Sequence, residues 1–170
     1  MNGRKCVMVI GPGGTGSKMI ANVMAHVLNI HEYGTWDSNG WCESDTHRVC
    51  HRSLPYGHYI SRYPDIQKWI ESYKNSHQLY FVLTTRDITI SGLSRKRRFG
   101  HSDNKCLKDD EKARKIMTDV LQSGHPGMIW SYESFVFLQN AYLQQLYDFI
   151  DVESDFTPEI RDANAKLLAK

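Results

Sequence analysis

Short β-branched or aromatic runs alternate along the chain with stretches whose apolar residues recur every three or four places. Residues 5–10 (KCVMVI) form an apolar run halted by Gly11 and Pro12, the pattern of a buried strand. Beyond the glycines, Met19, Ile20, Val23, Met24, Val27 and Leu28 share one face at helical spacing. Residues 31–45 hold two Trp, two Gly and small polar side chains and read as a loop. A second strand is expected over 47–53, stopped by Pro55. Pro64 then opens an amphipathic helix carrying Ile66, Trp69, Ile70 and Tyr73. Residues 79–85 (LYFVLTT) are the clearest strand, followed by a helix over 88–98 and a polar loop over 99–106. Ala113, Ile116, Met117, Val120 and Leu121 mark the next helix, 128–132 a fourth strand and 135–150 a long helix. Thr157, with Pro158 at the first helical position, predicts a last helix.

Strands alternating with helices, without repeats, predict one domain over residues 1–170. The fold class is α/β, a parallel sheet of about four strands with helices on both faces. The strand order expected is 2-3-1-4. Ligands bind such sheets beyond the carboxyl ends of the strands, which directs attention to the residues after Ile10, Val49, Leu83 and Trp130.

Composition changes this picture little. Apolar residues at 41% and charged ones at 24% are ordinary for a globular chain. A formal net charge of +2 gives no argument for nucleic acid, and none is expected as a partner. The one dense basic run, Arg95-Lys96-Arg97-Arg98, is either a solvated helix face or a source of charge for a ligand. No segment approaches the roughly 18 apolar residues of a membrane span, and the first residues do not resemble a signal peptide. Cys6, Cys42, Cys50 and Cys106 form no C-x-x-C pair and no zinc spacing; Cys6 and Cys50, in strand-like runs, read as buried free thiols, and a reducing, cytoplasmic setting fits.

The chemistry gathers at the expected strand ends. After the first strand the chain reads GPGGTGSK, from Gly11 to Lys18. Glycines let backbone amides converge on an anion, and the following helix adds its positive end. The ATPase spacing is not met, because Lys18 falls one place late. After the third strand comes TTRDITISGLS. Arg86 there can fork onto a phosphate, with the Ser94 hydroxyl two helical turns on, or it can pair with Asp87 or Glu133. Tyr33, Trp36 and Trp41 either line a pocket or pack in the core.

A glycine-rich loop on strand one combined with R-(x)7-S after a later strand resembles the sulfotransferase superfamily. These relatives of nucleotide kinases use 3′-phosphoadenosine-5′-phosphosulfate (PAPS). Their bacterial motif G-x-P-[RK]-S-G-[ST]-[ST]-x-[LM] lies without gaps on Gly11 to Ile20, and the YESFVFLQNAYLQQLYDFI passage starting at Tyr132 is similar to the family's YEDL…LYEFLG. The resemblance covers residues 5–152. It implies a three-layer P-loop-type fold and transfer of a sulfuryl group to the hydroxyl of a small-molecule or carbohydrate acceptor. The product is 3′,5′-ADP (PAP), and no metal is required. Gly13, Gly14, Thr15, Gly16, Ser17 and Lys18 would then hold the 5′-phosphosulfate, and Arg86 with Ser94 the 3′-phosphate.

Three departures stand beside it. Gly14 occupies the place of the family's catalytic cation, for which Lys18 is the nearest substitute. The C-terminal basic loop of longer members has no counterpart. In VCHRSLP the family's histidine position falls on Ser53, leaving His51 two residues earlier as the general base or as a structural histidine at the sheet edge. Arg52 is a candidate for acceptor or sulfate contact. Two rivals remain. A kinase of the same fold would want a lysine directly after Gly16 and a carboxylate, Asp87 or Glu133, for magnesium. A non-catalytic P-loop-derived binding protein would explain Gly14.

Overall fold

The computed structural model describes residues 3–35, 40–57 and 60–168. Trp36, one of the three loop aromatics, lies outside them. The elements run β1 (Lys5–Pro12), α1 (Ser17–Val27), β2 (Trp41–Glu43), β3 (Arg48–Leu54), α2 (Ile66–Tyr73) and β4 (Gln78–Thr85). They continue with α3 (Ile88–Phe99), α4 (Asp103–Gln122), β5 (Gly127–Ser131), α5 (Tyr132–Leu138), α6 (Asn140–Phe149) and α7 (Ala165–Leu168). The fold is α/β, around a five-stranded mixed sheet in the order β2-β3-β1-β4-β5.

β1 is apolar nearly throughout, so it is stable only where both faces and both edges are covered. Successive side chains point to opposite faces. Val7 and Val9 enter one core with α1 and α6, through Ile20, Met24, Leu143 and Leu146. Cys6, Met8 and Ile10 enter the other with α2 and α4, through Ile70, Ala113 and Val120. Its two edges take parallel partners, Arg48–Leu54 on one side and Gln78–Leu83 on the other. This corrects the expected order: the first strand lies between the second and third. The second expected strand pairs with the first and not the third, the fourth pairs with the third, and the far edge of β3 is taken by the antiparallel β2, within the stretch expected to be loop.

The remaining differences also have local causes. Ser102 caps α4 by accepting from the Lys105 amide, so the helix starts inside the expected 99–106 loop. Gln139, at φ +49°, divides the expected 135–150 helix into α5 and α6. No helix starts at Thr157. Residues 152–162 instead run extended across the α1–α6 core, with Val152, Phe156 and Ile160 packed inward and Tyr147 Oη donating to the Phe156 carbonyl at 2.7 Å. No helix among the described residues is long and apolar enough to cross a membrane.

The basic run is also only partly a solvated face. Arg95 is buried and forms a 2.7 Å ion pair with buried Asp110, tying α3 to α4. Asp110→Ala would leave the guanidinium uncompensated, at a cost of about 3–5 kcal/mol. For a chain of this size the melting temperature should fall by roughly 10 °C, whereas Arg95→Met with Asp110→Leu, which removes both charges, should lower it less. Thermal denaturation of the single and double variants tests this.

Candidate active site at the glycine-rich loop

β1 and β4 are adjacent, and their onward connections lead in opposite directions, to β3 and to β5. Such a switch point leaves a crevice at the carboxyl ends of the strands. The glycine-rich loop enters that crevice from β1 and Arg86 enters it from β4.

Glycine is required at two kinds of place in the loop. A Cβ at Gly11 would stand 2.2 Å from Thr84 Oγ1, so only glycine lets β1 run this close to the end of β4. Gly14 and Gly16 hold φ values of +87° and +85°, and the turn they make delivers the chain into α1. Gly16 is the N-cap of α1 and offers no side-chain cap. Among the described residues no protein acceptor takes the amides of Gly14, Thr15, Gly16 or Ser17. These donors, with the positive helix end behind them, form a cradle for an anion.

The loop hydroxyls do different work from its amides. Thr15 is buried, and its Oγ1 donates to the Pro12 carbonyl at 2.7 Å and shares a 2.7 Å hydrogen bond with Thr84 Oγ1. Only the Thr15 backbone is left to meet a ligand. Ser17 Oγ lies 2.9 Å from His51 Nε2, joining the loop helix to the end of β3. Lys18, in the first turn of α1, is exposed, and its charge is felt at His51.

Two cavities flank the loop. The first, of about 650 Å³, brings Gly14, Gly16, Arg86 and Ser94 together with Arg97, Arg98, Tyr33 and Tyr132. The sequence placed Arg86 and Ser94 on one ligand, and they do share one cavity. Arg86 pairs with neither Asp87 nor Glu133. Asp87 caps α3 by accepting from the Ile90 amide, and Glu133 accepts from the Asp87 amide. The guanidinium of Arg86 instead lies 4.4 Å over the Tyr132 ring and donates from Nη1 to the Gly14 carbonyl at 2.8 Å.

The second cavity, of about 380 Å³, is lined by Gly13, His51, Arg52, Tyr56, His101 and Lys105 among others. Arg52 Nη1 donates to the His51 carbonyl at 3.0 Å, and its guanidinium lies 5.2 Å over the Tyr56 ring. A Cβ at Gly40 would fall on that guanidinium, so Gly40 is the floor beneath Arg52. Trp41 takes no part, because it packs on Trp69 and Tyr73 in the α2 core, while Tyr33 lies in the first cavity against Phe156.

Burial lowers the His51 pKa from the usual 6.5 to about 4, and the positive charges of Arg52 and Lys18 push the same way. The imidazole is therefore neutral near pH 7 and able to accept a proton, and an anion seated on the loop would raise its basicity. Burial pushes the Cys6 thiol up to about 12 and that of Cys42 to about 11, which leaves both unreactive as thiolates. Among the described residues no cluster of His, Cys, Asp or Glu could hold a metal ion.

Sequence reasoning missed Tyr132 as the platform for Arg86, Arg95 as a buried pair, and Asn164 on the far side of Arg86. Tyr132 opens the passage that resembles the sulfotransferases, but nothing in its spacing pointed to a partner on β4. The chain matches no family model, and no curated protein matches it.

The depressed His51 pKa has a pH signature. The unfolded chain takes up the proton first as the pH falls, so His51 supports the fold above about 6.5 and withdraws that support as the pH drops toward about 4. His51→Gln keeps a hydrogen-bonding group for Ser17 and removes the titration. Urea melts between pH 7.5 and 4.5 should show a shallower loss of stability in the variant, by at most about 1.4 kcal/mol per pH unit. Parallel curves for the two proteins would place the His51 imidazole in an ordinary solvated environment.

Proposed function

We propose that this chain is a P-loop-type sulfotransferase that moves a sulfuryl group from PAPS to an acceptor hydroxyl and leaves PAP. One observation carries the reading: Gly14 and Gly16 of the loop, Arg86 and Ser94 line one cationic cavity, while His51 and Arg52 line a second on the other side of the same loop. The first cavity has the size of a ligand pocket. Its free amides and arginines fit the two charged ends of the donor nucleotide.

When bound, PAPS supplies an activated sulfuryl group on a phosphate leaving group. The amides of Gly14 to Ser17 and the positive end of α1 meet the 5′-phosphosulfate, and Arg86 and Ser94 meet the 3′-phosphate. The acceptor oxygen forms its bond to sulfur as the sulfur–oxygen bond to the phosphate breaks, and the departing oxygen keeps the electron pair. His51 takes the hydroxyl proton, with the acceptor oxygen in the position Ser17 Oγ now holds against Nε2. Lys18, in the first turn of α1, offsets the charge gathering on the leaving phosphate. Arg52, beside His51, orients the acceptor.

The kinase reading lacks the lysine it would want directly after Gly16, while Asp87 and Glu133 each accept a backbone amide at the start of α3. The binding-protein reading keeps Gly14 as its support, where the family has a cation.

If Arg86 and Ser94 read a 3′-phosphate, calorimetry should find PAP bound about ten- to a hundred-fold more tightly than 5′-AMP. Arg86→Ala should erase most of that difference, and equal affinities in the unaltered protein would overturn the assignment. Label from radioactive PAPS should reach a hydroxyl acceptor without added magnesium, whereas ATP consumption that requires magnesium would favour the kinase.

Lys18→Met tests the charge at the leaving group. It keeps the side-chain stem, so nucleotide affinity should stay within a few-fold while turnover drops about a hundredfold. Normal turnover in Lys18→Met beside dead Arg52→Met would move the catalytic cation to the end of β3.

A further inference from the structure

The C-terminal segment lies beyond the stretch that resembles any sulfotransferase, yet it reaches the cavity at Arg86. Arg86 Nε and Nη2 both donate to Asn164 Oδ1, the first at 2.8 Å. Tyr132 holds the same segment from below: its hydroxyl donates to the Arg161 carbonyl at 3.0 Å and accepts from the Ala163 amide at 2.9 Å. One tyrosine thus supports the Arg86 guanidinium on its ring and the segment that grips Arg86 on its hydroxyl. The Asn164 amide is itself fixed, donating to Asp162 Oδ1 at 2.8 Å. Arg161, Ala163 and Leu167 line the cavity beside Gly14 and Ser94.

Counting donors shows what the grip does. A guanidinium has five N–H groups and no acceptor. Asn164 takes one from Nε and one from Nη2, and the Gly14 carbonyl takes one from Nη1. One N–H on each Nη is left over. Those two groups are held in a fixed direction, because the guanidinium is fastened at three donors and stacked on a ring. Asn164 is also neutral. It orients Arg86 while leaving its charge uncancelled, which a carboxylate in the same place would not do.

We propose that Asn164 is a positioning residue that sets the preference of the Arg86 cavity for a 3′-phosphorylated nucleotide. It does so by holding the Nε and Nη2 edge so that the remaining N–H groups meet phosphate oxygens without a search through rotamers. The inference rests on the reading of Arg86 as the 3′-phosphate contact. It adds that the C-terminal segment is part of the nucleotide site.

Three proteins test it by calorimetry with PAP and 5′-AMP: the unaltered chain, Asn164→Ala and Asn164→Asp. Asn164→Ala releases Arg86, and the preference for PAP should fall about tenfold while 5′-AMP affinity stays within about twofold. Asn164→Asp keeps an acceptor for both donors but neutralises the guanidinium, so its preference should fall at least as far as in the alanine variant. A tie that merely docks the segment would be satisfied by aspartate, so an Asp variant with the unaltered preference overturns the proposal. An Ala variant that retains the preference within about twofold overturns it as well. Either result leaves the 3′-phosphate reading standing, because the unaltered protein still prefers PAP. Equal affinities in the unaltered protein overturn both. The Arg86 Nε–H resonance supplies a readout independent of nucleotide: it should be sharp and slowly exchanging in the unaltered chain and broadened in Asn164→Ala. An unchanged resonance would show that Asn164 does not hold the guanidinium.

Discussion

The approach of Gly11 to Thr84 governs the geometry of the crevice. At that point β1 and β4 run so close that a side chain on Gly11 would overlap both the hydroxyl and the carbonyl of Thr84. The contact is then fastened across the strand ends by Thr84 Oγ1, which donates to Thr15 Oγ1 while the Thr15 proton goes to the Pro12 carbonyl. Two residues beyond Thr84 the chain reaches Arg86, and two beyond Thr15 it reaches Ser17. A wider spacing at Gly11 would separate the amide cradle from the guanidinium and leave two half-sites. The polar groups of the loop are therefore divided by depth: buried hydroxyls bind the loop to the sheet, and the amides above them stay open.

Positive charge is distributed around this crevice in two different manners. Arg95 is neutralised by Asp110 and serves α3 and α4, although a Cβ on Gly13 would sit only 3.4 Å from its side chain. Arg86 is fixed by neutral groups alone among its described partners: a carbonyl, an amide and an aromatic ring. Its field therefore reaches the cavity undiminished by a counter-charge in contact with it. Arg97 and Arg98, further along α3, border the same space. One basic run thus serves the core at Arg95 and the cavity at its end, a division that helical spacing imposes on consecutive residues.

Much of this was legible in the sequence because it depends on local chemistry. Four strands were placed from apolar runs, the glycine loop and Arg86 from their positions just past the ends of two of those strands, and Ser94 from its place two turns into the following helix; the first cavity is lined by Gly14, Gly16, Arg86 and Ser94. Strand order was not legible, since alternation of strands and helices does not say which edges pair, and the short antiparallel β2 lay hidden among Trp41 and its small polar neighbours. The extended segment after Asp151 was misread as a helix start for a different reason. Thr157 and Pro158 are good capping chemistry, but Val152, Ser154, Phe156, Pro158 and Ile160 repeat with period two, and all are at least half-buried. That period outweighs the cap, because Val152, Phe156 and Ile160 pack on the core while Glu153, Asp155, Thr157 and Glu159 alternate with the covered positions and stay exposed. Asn164 carried no signal at all: its partner is 78 residues away, across the tertiary fold.

The electrostatics of His51 are tied to the glycine-rich loop. His51 is neutral because burial and two cations oppose its protonation, and one of those cations, Lys18, stands on the helix that would receive an anion. A bound anion at the helix start offsets the field of Lys18 at His51 and makes the imidazole a stronger base. Protonation of the imidazole is then coupled to occupancy of the loop through electrostatics, and the Ser17 hydroxyl at Nε2 ties the two together. The Arg86 side of the crevice is rigid, its guanidinium fastened at three donors and stacked on a ring. The His51 side is responsive, since burial next to cations leaves the imidazole sensitive to nearby charge. The glycine-rich loop, tied to β4 through Thr15 and to β3 through Ser17, borders both sides, as does α3 with Arg95 on the His51 side and Ser94 on the Arg86 side.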